Sequence, residues 1–219
     1  MRFRDRTDAG QRLARELACY ANRTDVCVLA LPRGGVPVAY EVAQALHAPL
    51  DVWVVRKLGT PFMPELALGA IASGDVRVLT PGIADVLHLS HDQIEQIAAD
   101  ERIELQRRED AYRAGQPPID VRGKIVILID DGVATGSTMR AGIQALRQLK
   151  PAQIVAAIPV AARSACQMLA QAADRVVCLS RPETFEAVGE WYVDFSQTTD
   201  QEVRNLLRSG AESVAPKPI

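Results

Sequence analysis

The sequence predicts an α/β fold, with a mainly parallel twisted sheet flanked by helices. Short, continuous apolar runs such as residues 26–31 (VCVLAL) are typical of strands that are buried on both faces. Segments with helical spacing lie between these runs, and a repeated strand–helix alternation produces parallel strands. At roughly 100–200 residues per domain, a chain of 219 residues is expected to form one domain, residues 1–219.

The elements can be justified in order along the chain. Leu13 and Leu17 lie on the apolar stripe of a first helix, and Val36 and Leu46 belong to the stripe of a second. Later segments alternate in the same way between apolar runs and amphipathic stripes. The predicted strands cover residues 26–31, 52–56, 76–79, 124–130, 154–160 and 175–180. The predicted helices after the second cover residues 90–113, 137–149, 163–172 and 200–208.

Residues 90–113 differ from the other predicted helices. Ser90 and Gln93 form the S-x-x-Q pattern of a capping box at a helix start. Glu104 and Arg108 have the spacing and order of a favourable helical ion pair. The pattern predicts a long, partly exposed helix that is inserted between two strands.

Composition excludes several classes of protein. Lys and Arg number 25 and Asp and Glu 27, so the net charge of −2 argues against a chain that coats nucleic acid or an anionic membrane. The four cysteines form no CxxC pair, which predicts buried thiols in a reducing compartment and no zinc site. The charged first residues and the lack of 18 consecutive apolar residues favour a cytoplasmic protein.

Residues 126–138 (VILIDDGVATGST) are the strongest candidate site. A buried strand leads into two acids and a glycine-rich turn, and a helix begins near Ser137. The free amides and the dipole of a helix start favour a phosphate. Asp130 and Asp131 repel a phosphate and suit a hydroxylated or cationic group beside it, and a ribose offers vicinal hydroxyls. The turn therefore predicts a ribose 5-phosphate ligand.

Rival interpretations of this turn are weaker. It lacks the Lys of GxxxxGK[ST], which argues against a nucleoside triphosphate loop, and it lacks the GxGxxG of a dinucleotide site. An ordinary turn between a strand and a helix remains the alternative. The strand, paired acids, glycines and hydroxyls follow one another in the order that a binding site needs, which favours a site.

Two other strand ends carry cations. Arg33, Gly34 and Gly35 follow the strand at 26–31, and the glycines let backbone amides turn towards an anion. Taken alone, this segment is a weak signal that favours a simple turn. Arg56 and Lys57 end the strand at 52–56, where two adjacent cations are costly to bury unpaired and are well placed for phosphates.

Residues 126–138 resemble the phosphoribosyl-pyrophosphate signature of type I phosphoribosyltransferases. The segments PRGGVP, VRKLGTP…ELALGAI and AVGEWYVDF extend the resemblance over most of the chain. Together they resemble a subfamily of predicted phosphoribosyltransferases whose acceptor is unassigned. The resemblance implies a type I phosphoribosyltransferase fold with a small C-terminal hood at about residues 181–199.

The resemblance also implies roles for particular residues. It places the ribose hydroxyls on Asp130 and Asp131. It implies a 5-phosphate site formed by Ala134, Thr135, Gly136, Ser137 and Thr138. It implies a pyrophosphate site, with an unusual cis peptide in its loop, formed by Arg33, Gly34, Gly35, Arg56 and Lys57. The implied catalytic set is Arg33, Arg56, Lys57, Asp130 and Asp131.

Two segments are expected to cover the site. The resemblance implies that residues 58–69 correspond to the flexible loop that closes over the reacting carbon in these enzymes. Glu65 within it is either a metal or ribose contact or an exposed loop acid. The hood contains Trp191, Tyr192 and Phe195, which either hold a flat acceptor or form a hydrophobic plug at the last strand.

The implied reaction is transfer of the 5-phosphoribosyl group from phosphoribosyl pyrophosphate to a nitrogenous acceptor, a nucleobase, with release of pyrophosphate. Mg²⁺ is the expected cofactor, with Asp130 and Asp131 reaching it indirectly through ribose or water.

We expect a homodimer and no nucleic acid or membrane partner. The alternatives are a sensing and regulatory module without transferase activity, and a ribosyl-phosphate hydrolase or phosphorylase.

One position departs from part of the family. Members that use 6-oxopurines carry an Asp immediately before the Thr-Gly of the signature, and this chain has Ala134 there. The difference argues against hypoxanthine or guanine as the acceptor. It is shared with members that use adenine or uracil, so it does not select a replacement.

Overall fold

The computed structural model describes residues 2–60 and 67–214. The strands are β1 (Val26–Ala30), β2 (Leu50–Val52), β3 (Val55–Gly59), β4 (Ala67–Ala72), β5 (Val76–Leu79), β6 (Ile125–Ile129), β7 (Gln153–Val160) and β8 (Arg175–Ser180). The helices are α1 (Arg6–Glu16), α2 (Gly35–Leu46), α3 (Ile83–Val86), α4 (His91–Arg113), α5 (Ser137–Gln148), α6 (Arg163–Ala170) and α7 (Asp200–Val214). Short 3₁₀ turns occupy Ala18–Tyr20 and Val188–Trp191.

The main sheet is parallel, as the sequence predicts. Its five strands are ordered β2-β1-β6-β7-β8, so β1 and β6 are neighbours although they are far apart in the chain. All residues of these two strands are buried, because helices cover both faces. Ala30 pairs with Ile129 where the strands end. The loops that follow these strands therefore start side by side.

The core has two layers, one on each face of the main sheet. Alternate residues of a strand point to opposite faces. On β6, Ile127 and Ile129 pack in the layer under α1, α2 and α7. Val126 and Leu128 pack in the opposite layer with residues of α5 and α6. A run that is apolar at every position is thus explained by burial on both sides.

The predicted strand at 52–56 is wrong, because the chain changes sheets within it. The amide of Trp53 still donates to Ala30 at 2.8 Å, on the side of β1. The next amide, Val54, donates instead to the hydroxyl of Ser73 at 2.9 Å. β3 then starts a separate antiparallel sheet in the order β3-β4-β5. The sequence pattern missed this change because both halves of the segment are apolar.

The segment expected as a lid is only partly described. β3 includes Gly59, and β4 begins at Ala67, so the ends of residues 58–69 belong to the antiparallel sheet. Residues 61–66 lie outside the described part of the chain, and both predictions for Glu65 fall there. The predicted strand at 76–79 is confirmed as β5.

The inserted helix is confirmed as α4. Ser90 caps it, accepting a hydrogen bond from the amide of Gln93 at 3.3 Å, and Gln93 accepts one in return from the amide of Ser90 at 2.8 Å. At its other end Arg113 is held by two buried carboxylates, Asp51 at 2.9 Å and Glu109 at 2.7 Å. These ion pairs attach α4 to the edge strand of the main sheet.

Other expectations have mixed outcomes. α7 continues to Val214, beyond the helix end expected at residue 208. All four thiols are free; Cys27 and Cys166 are buried, but Cys19 is exposed and Cys178 is only partly buried. Within residues 2–60 and 67–214, every helix is too short or too polar to cross a membrane.

The Arg113 ion pairs generate a stability prediction. The side chains of Arg113, Asp51 and Glu109 are only 10%, 9% and 8% exposed. Replacing Arg113 with Met leaves two buried carboxylates without their cation. We expect the free energy of unfolding in urea to fall by about 3–5 kcal/mol.

The control for this variant is Arg107→Met. Arg107 pairs with Glu104 on the exposed surface of the same helix, with 65% of its side chain accessible. Its loss should change the free energy of unfolding by no more than about 1 kcal/mol. Equal effects of the two substitutions would contradict the role assigned to the buried ion pairs.

Candidate functional site

The loops after β1 and β6 are in contact. A Cβ atom on Gly34 would lie 2.0 Å from Oδ2 of Asp131, and one on Gly35 would lie 2.7 Å from the carbonyl oxygen of Ile129. No side chain fits at either position. The glycines therefore let the backbone of one loop approach the acids of the other. The Pro32–Arg33 peptide is cis, as the resemblance implied.

Arg33 lies at the open side of this junction. Its Nη1 is 3.6 Å from Oδ1 of Asp200, the first residue of α7, and 39% of its side chain is exposed. The hydroxyl of Tyr112 on α4 donates to the same carboxylate at 3.2 Å. Arg33 is thus near an acid but still accessible to an anionic ligand.

The turn before α5 has the geometry of an anion site. Gly136 has a φ of +79°, a left-handed conformation that favours glycine, and no side chain caps the helix that starts at Ser137. The amides of the first helical turn are therefore available to a ligand. The hydroxyls of Thr135 and Ser137 are 2.7 Å apart. The predicted 5-phosphate residues Ala134, Thr135, Ser137 and Thr138 are exposed.

The two acids have different surroundings. Oδ2 of Asp131 accepts a hydrogen bond from Nε of Arg6 at 2.8 Å. Oδ1 of Asp130 accepts one from the amide of Asp131 at 2.9 Å. Burial raises the pKa of Asp130 well above its ordinary value, and the negative charge of Asp131 raises it further. Asp130 is partly exposed, so hydroxyl groups of a ligand can reach this carboxylate.

Arg6 is a site residue that the sequence did not reveal. It starts α1, and its Nη1 donates to the carbonyl oxygen of Ser196 at 2.7 Å. Its guanidinium carbon lies 4.0 Å from the centre of the Phe195 ring. The residue matches no motif, and its partner Asp131 is 125 positions away. Only the packing of α1 against the sheet reveals the contact.

Arg56 and Lys57 do not share a surface. Adjacent residues of a strand point to opposite faces. Nε of Arg56 donates to Glu101 of α4 at 2.8 Å. Lys57 lines a groove of about 270 Å³ that also includes Ser137 and Thr138. The predicted pyrophosphate role of this pair is not tested by the structure, but only Lys57 lies in a groove with predicted phosphate-binding residues.

The predicted hood is built directly on the signature turn. Val188 fills the space above Gly132, where an added Cβ would lie 2.2 Å from its methyl group. Tyr192 is 1% exposed and its hydroxyl donates to the carbonyl oxygen of Asp131. Its ring is enclosed by Phe3 and Phe195. Tyr192 therefore supports the hood from inside.

The other two hood aromatics are more accessible. Trp191 is partly exposed and stacks on Phe185, with ring centres 6.5 Å apart and planes at 13°. Phe195 is 37% exposed. Within the described residues the indole nitrogen of Trp191 is buried without a hydrogen-bond partner. Contact of Trp191 and Phe195 with an acceptor stays a prediction.

The chain matches a known protein family over most of its length. The phosphoribosyl transferase domain family matches residues 4–196. This chain belongs to the phosphoribosyltransferase domain family. The match covers most of the chain, including both adjoining loops and most of the predicted hood.

Similar proteins span much of this phosphoribosyltransferase domain. A Mycobacterium tuberculosis protein, provisionally named a phosphoribosyl transferase, is 45% identical over 224 residues, covering 99% of this chain and 50% of that protein. The chain thus spans about half the length of that relative. The crystal structure of TT1426 from Thermus thermophilus has a TM-score of 0.85 and 44% identity, covering 95% of this chain and 99% of that one. The bifunctional protein PyrR of Chloroflexus aurantiacus is 32% identical over 129 residues, covering 58% of this chain and 65% of that protein.

The donor set of this phosphoribosyltransferase domain fits Mg²⁺ only as an ion shared with a ligand. Across the described ranges, no three His, Cys, Asp or Glu side chains gather to hold a metal. Asp130 and Asp131 are the acids at the site, and Arg6 already contacts one oxygen of Asp131. Mg²⁺ prefers phosphate and carboxylate oxygens and usually keeps several waters. The arrangement suits an ion whose ligands come mainly from a bound phosphoribosyl compound.

The raised pKa of Asp130 predicts a cost in stability. An acid whose pKa is higher in the folded state destabilises the protein progressively as pH rises above the unfolded value of about 3.9, and the cost is absent below that value. We therefore expect Asp130→Asn to raise the melting temperature at neutral pH. The gain should shrink as pH falls towards about 4. Thermal unfolding in EDTA, from about pH 4 to neutral pH, measures the difference in melting temperature between the variant and wild type.

Asp25→Asn is the matched control for this measurement. Arg23 holds the pKa of the exposed Asp25 below its ordinary value, so this carboxylate has the opposite shift. Its removal should give no gain in melting temperature at neutral pH. An Asp130→Asn variant that is no more stable than wild type at any pH would contradict the assignment.

Proposed function

We propose that this chain transfers the 5-phosphoribosyl group of phosphoribosyl pyrophosphate to a nitrogenous acceptor, a nucleobase, and releases pyrophosphate. The observation that supports it is the contact between the loop of Gly34 and the carboxylate of Asp131. This contact brings the glycine loop that carries Arg33 next to Asp130 and Asp131, the acids proposed to bind ribose hydroxyls. The turn before α5, proposed to bind a phosphate, follows these acids in the chain. One phosphoribosyl pyrophosphate molecule has the three groups that such a junction would bind.

In this proposal each part of the donor has its own partner. The 5-phosphate binds at the start of α5, with the hydroxyls of Thr135 and Ser137 nearby. The ribose hydroxyls bind Asp130 and Asp131. The amides of Gly34 and Gly35 approach the pyrophosphate. The donor is thus held at both ends, with its C1 carbon between them.

The chemical step is the breaking of the bond between ribose C1 and a pyrophosphate oxygen. Negative charge develops on the leaving group and positive charge on the ring, so the protein acts mainly by electrostatics. Arg33 offers a cation to the leaving group, and the two carboxylates face the sugar. Mg²⁺, when bound, supplies further positive charge to pyrophosphate. Exclusion of water would direct the reaction to the acceptor.

Features near the turn narrow the proposed acceptor. Ala134 is exposed where 6-oxopurine enzymes carry an acid, so this position offers no carboxylate to a purine ring nitrogen. Phe195 and Trp191 present aromatic surface on the hood above. Flat, uncharged bases suit such surfaces. We propose adenine and uracil as the first acceptors to test, and a cytoplasmic homodimer as the working form.

Calorimetric titration with phosphoribosyl pyrophosphate, with and without Mg²⁺, tests the donor site. We expect micromolar, Mg²⁺-dependent binding. The double variant Asp130→Asn with Asp131→Asn should lose about 1–3 kcal/mol of binding free energy for each charged hydrogen bond removed. Circular dichroism checks that the variant is folded. Unchanged affinity in a folded double variant would end the ribose assignment.

Product analysis separates transfer from the two alternatives. A ribosylated base with pyrophosphate supports the proposal. Free ribose 5-phosphate without a ribosylated base would favour a hydrolase. Binding without turnover over a broad panel of acceptors would favour a sensing module, and retention of RNA at low salt would make RNA its first candidate partner.

The separation of Arg56 and Lys57 gives a second prediction. Lys57→Met should weaken binding of phosphoribosyl pyrophosphate more than Arg56→Met, because Lys57 shares a groove with Ser137 and Thr138 whereas Arg56 pairs with Glu101. The same calorimetric titration measures both variants. A larger loss in Arg56→Met would show that Arg56 leaves Glu101 to contact the ligand.

A further inference from the structure

Arg6 joins the predicted ribose site to the predicted hood. Its Nε contacts Asp131, its Nη1 contacts the carbonyl oxygen of Ser196, and its plane lies near the ring of Phe195. We infer that Arg6 is a positioning residue that orients Asp131 for the donor ribose and anchors the predicted hood beside that site. This inference rests on the proposed function and extends it to a residue outside both motifs.

The first step concerns the orientation of Asp131. Arg6 binds one oxygen, Oδ2, at 2.8 Å. The same oxygen faces the backbone of Gly34, and the hydroxyl of Tyr192 holds the main-chain carbonyl of Asp131. These contacts restrain the carboxylate at its side chain and at its backbone. Because Arg6 occupies Oδ2, the other oxygen, Oδ1, is the atom that we expect to accept from a ribose hydroxyl.

The second step concerns charge. Asp130 and Asp131 are adjacent in the chain, and two carboxylates so close together repel each other. The side chains of Arg6 and Asp131 are only 12% and 13% exposed, so water screens this region weakly. Arg6 places a cation in direct contact with Asp131 and close enough to Asp130 to favour its charged form. It therefore offsets part of the negative charge that the two adjacent carboxylates bring to the site.

The third step concerns the hood. A guanidinium is planar and presents several donors in a rigid fork, so it can bind a carboxylate and a carbonyl while it stacks on a ring. Arg6 makes all three contacts at once. A lysine can keep the charge beside Asp131 but cannot reproduce the fork or the stacking. The two roles of Arg6 can therefore be separated by substitution.

Arg12 provides a matched control on the same helix. It pairs with Asp8 at 2.8 Å and lies 5.5 Å from the ring of Phe3. Like Arg6 it combines an ion pair with an aromatic neighbour, but it does not contact the signature. A general role of α1 arginines in packing would make Arg6 and Arg12 equivalent.

The experiment compares Arg6→Gln, Arg6→Lys and Arg12→Gln with wild type. Titration with phosphoribosyl pyrophosphate and Mg²⁺ should show a dissociation constant raised about tenfold in Arg6→Gln, the effect of one lost charge-assisted hydrogen bond. Arg6→Lys should bind within about threefold of wild type, because it keeps the charge. Arg12→Gln should bind like wild type.

Acrylamide quenching of tryptophan fluorescence in the ligand-free proteins reports on the hood. The chain has two tryptophans, and Trp53 is 4% exposed, so quenching reports mainly on Trp191. We expect increased quenching in Arg6→Gln and in Arg6→Lys, because both lose the contacts to Phe195 and Ser196. Arg12→Gln should be quenched like wild type. If Arg6→Lys raises the KM for an active acceptor while kcat is kept, the hood role is supported further.

The outcomes separate this inference from the proposed function. Wild-type affinity in Arg6→Gln, or equal losses in Arg6→Gln and Arg12→Gln, would overturn the positioning role. If wild type itself does not bind phosphoribosyl pyrophosphate, the proposed function and the orienting role both fail. The quenching comparison then still decides whether Arg6 holds the hood in place. Unchanged quenching in Arg6→Gln would overturn this role of Arg6 at the hood.

Discussion

The contact between the backbone of Gly34 and the carboxylate of Asp131 is the constraint on which the site depends. It exists because β1 and β6 are neighbours in a parallel sheet and end at the same level, where Ala30 pairs with Ile129. Any side chain at residue 34 would overlap the carboxylate. The order of the strands thus brings two loops together, and glycine lets them touch. The turn before α5, with its free helix amides, follows directly after Asp131 in the chain.

The site combines groups that a stable core would avoid. Asp130 is held where burial raises its pKa, and Asp131 beside it is balanced by Arg6. Uncompensated carboxylates reduce the stability of the folded state, and functional sites often carry such a cost. At the edge of the same sheet, Arg113 makes a direct ion pair with each of two buried carboxylates, whereas the ion pair of Arg6 is with Asp131. Asp130 therefore has a raised pKa despite the cation that pairs with its neighbour.

Features that depend on neighbours in the chain were predictable from the sequence. The buried strands, the capping box of Ser90 and the glycine turn before Ser137 are local, because each is formed by residues a few positions apart. The change of sheets after Trp53 was missed, since a continuous apolar run has the same pattern in one strand or two. β4 was missed because its segment is rich in small residues, which resemble a loop.

The amino-acid sequence by itself determined the fold class, the two glycine loops, the acid pair and the family. These depend on local order, and that order is visible in a linear chain. Only the tertiary structure decided that Arg6 faces Asp131, that Tyr192 is enclosed, and that Arg56 and Lys57 point to different faces. Such contacts join residues far apart in the chain. Their geometry follows from the packing of helices on the sheet, which no short motif records.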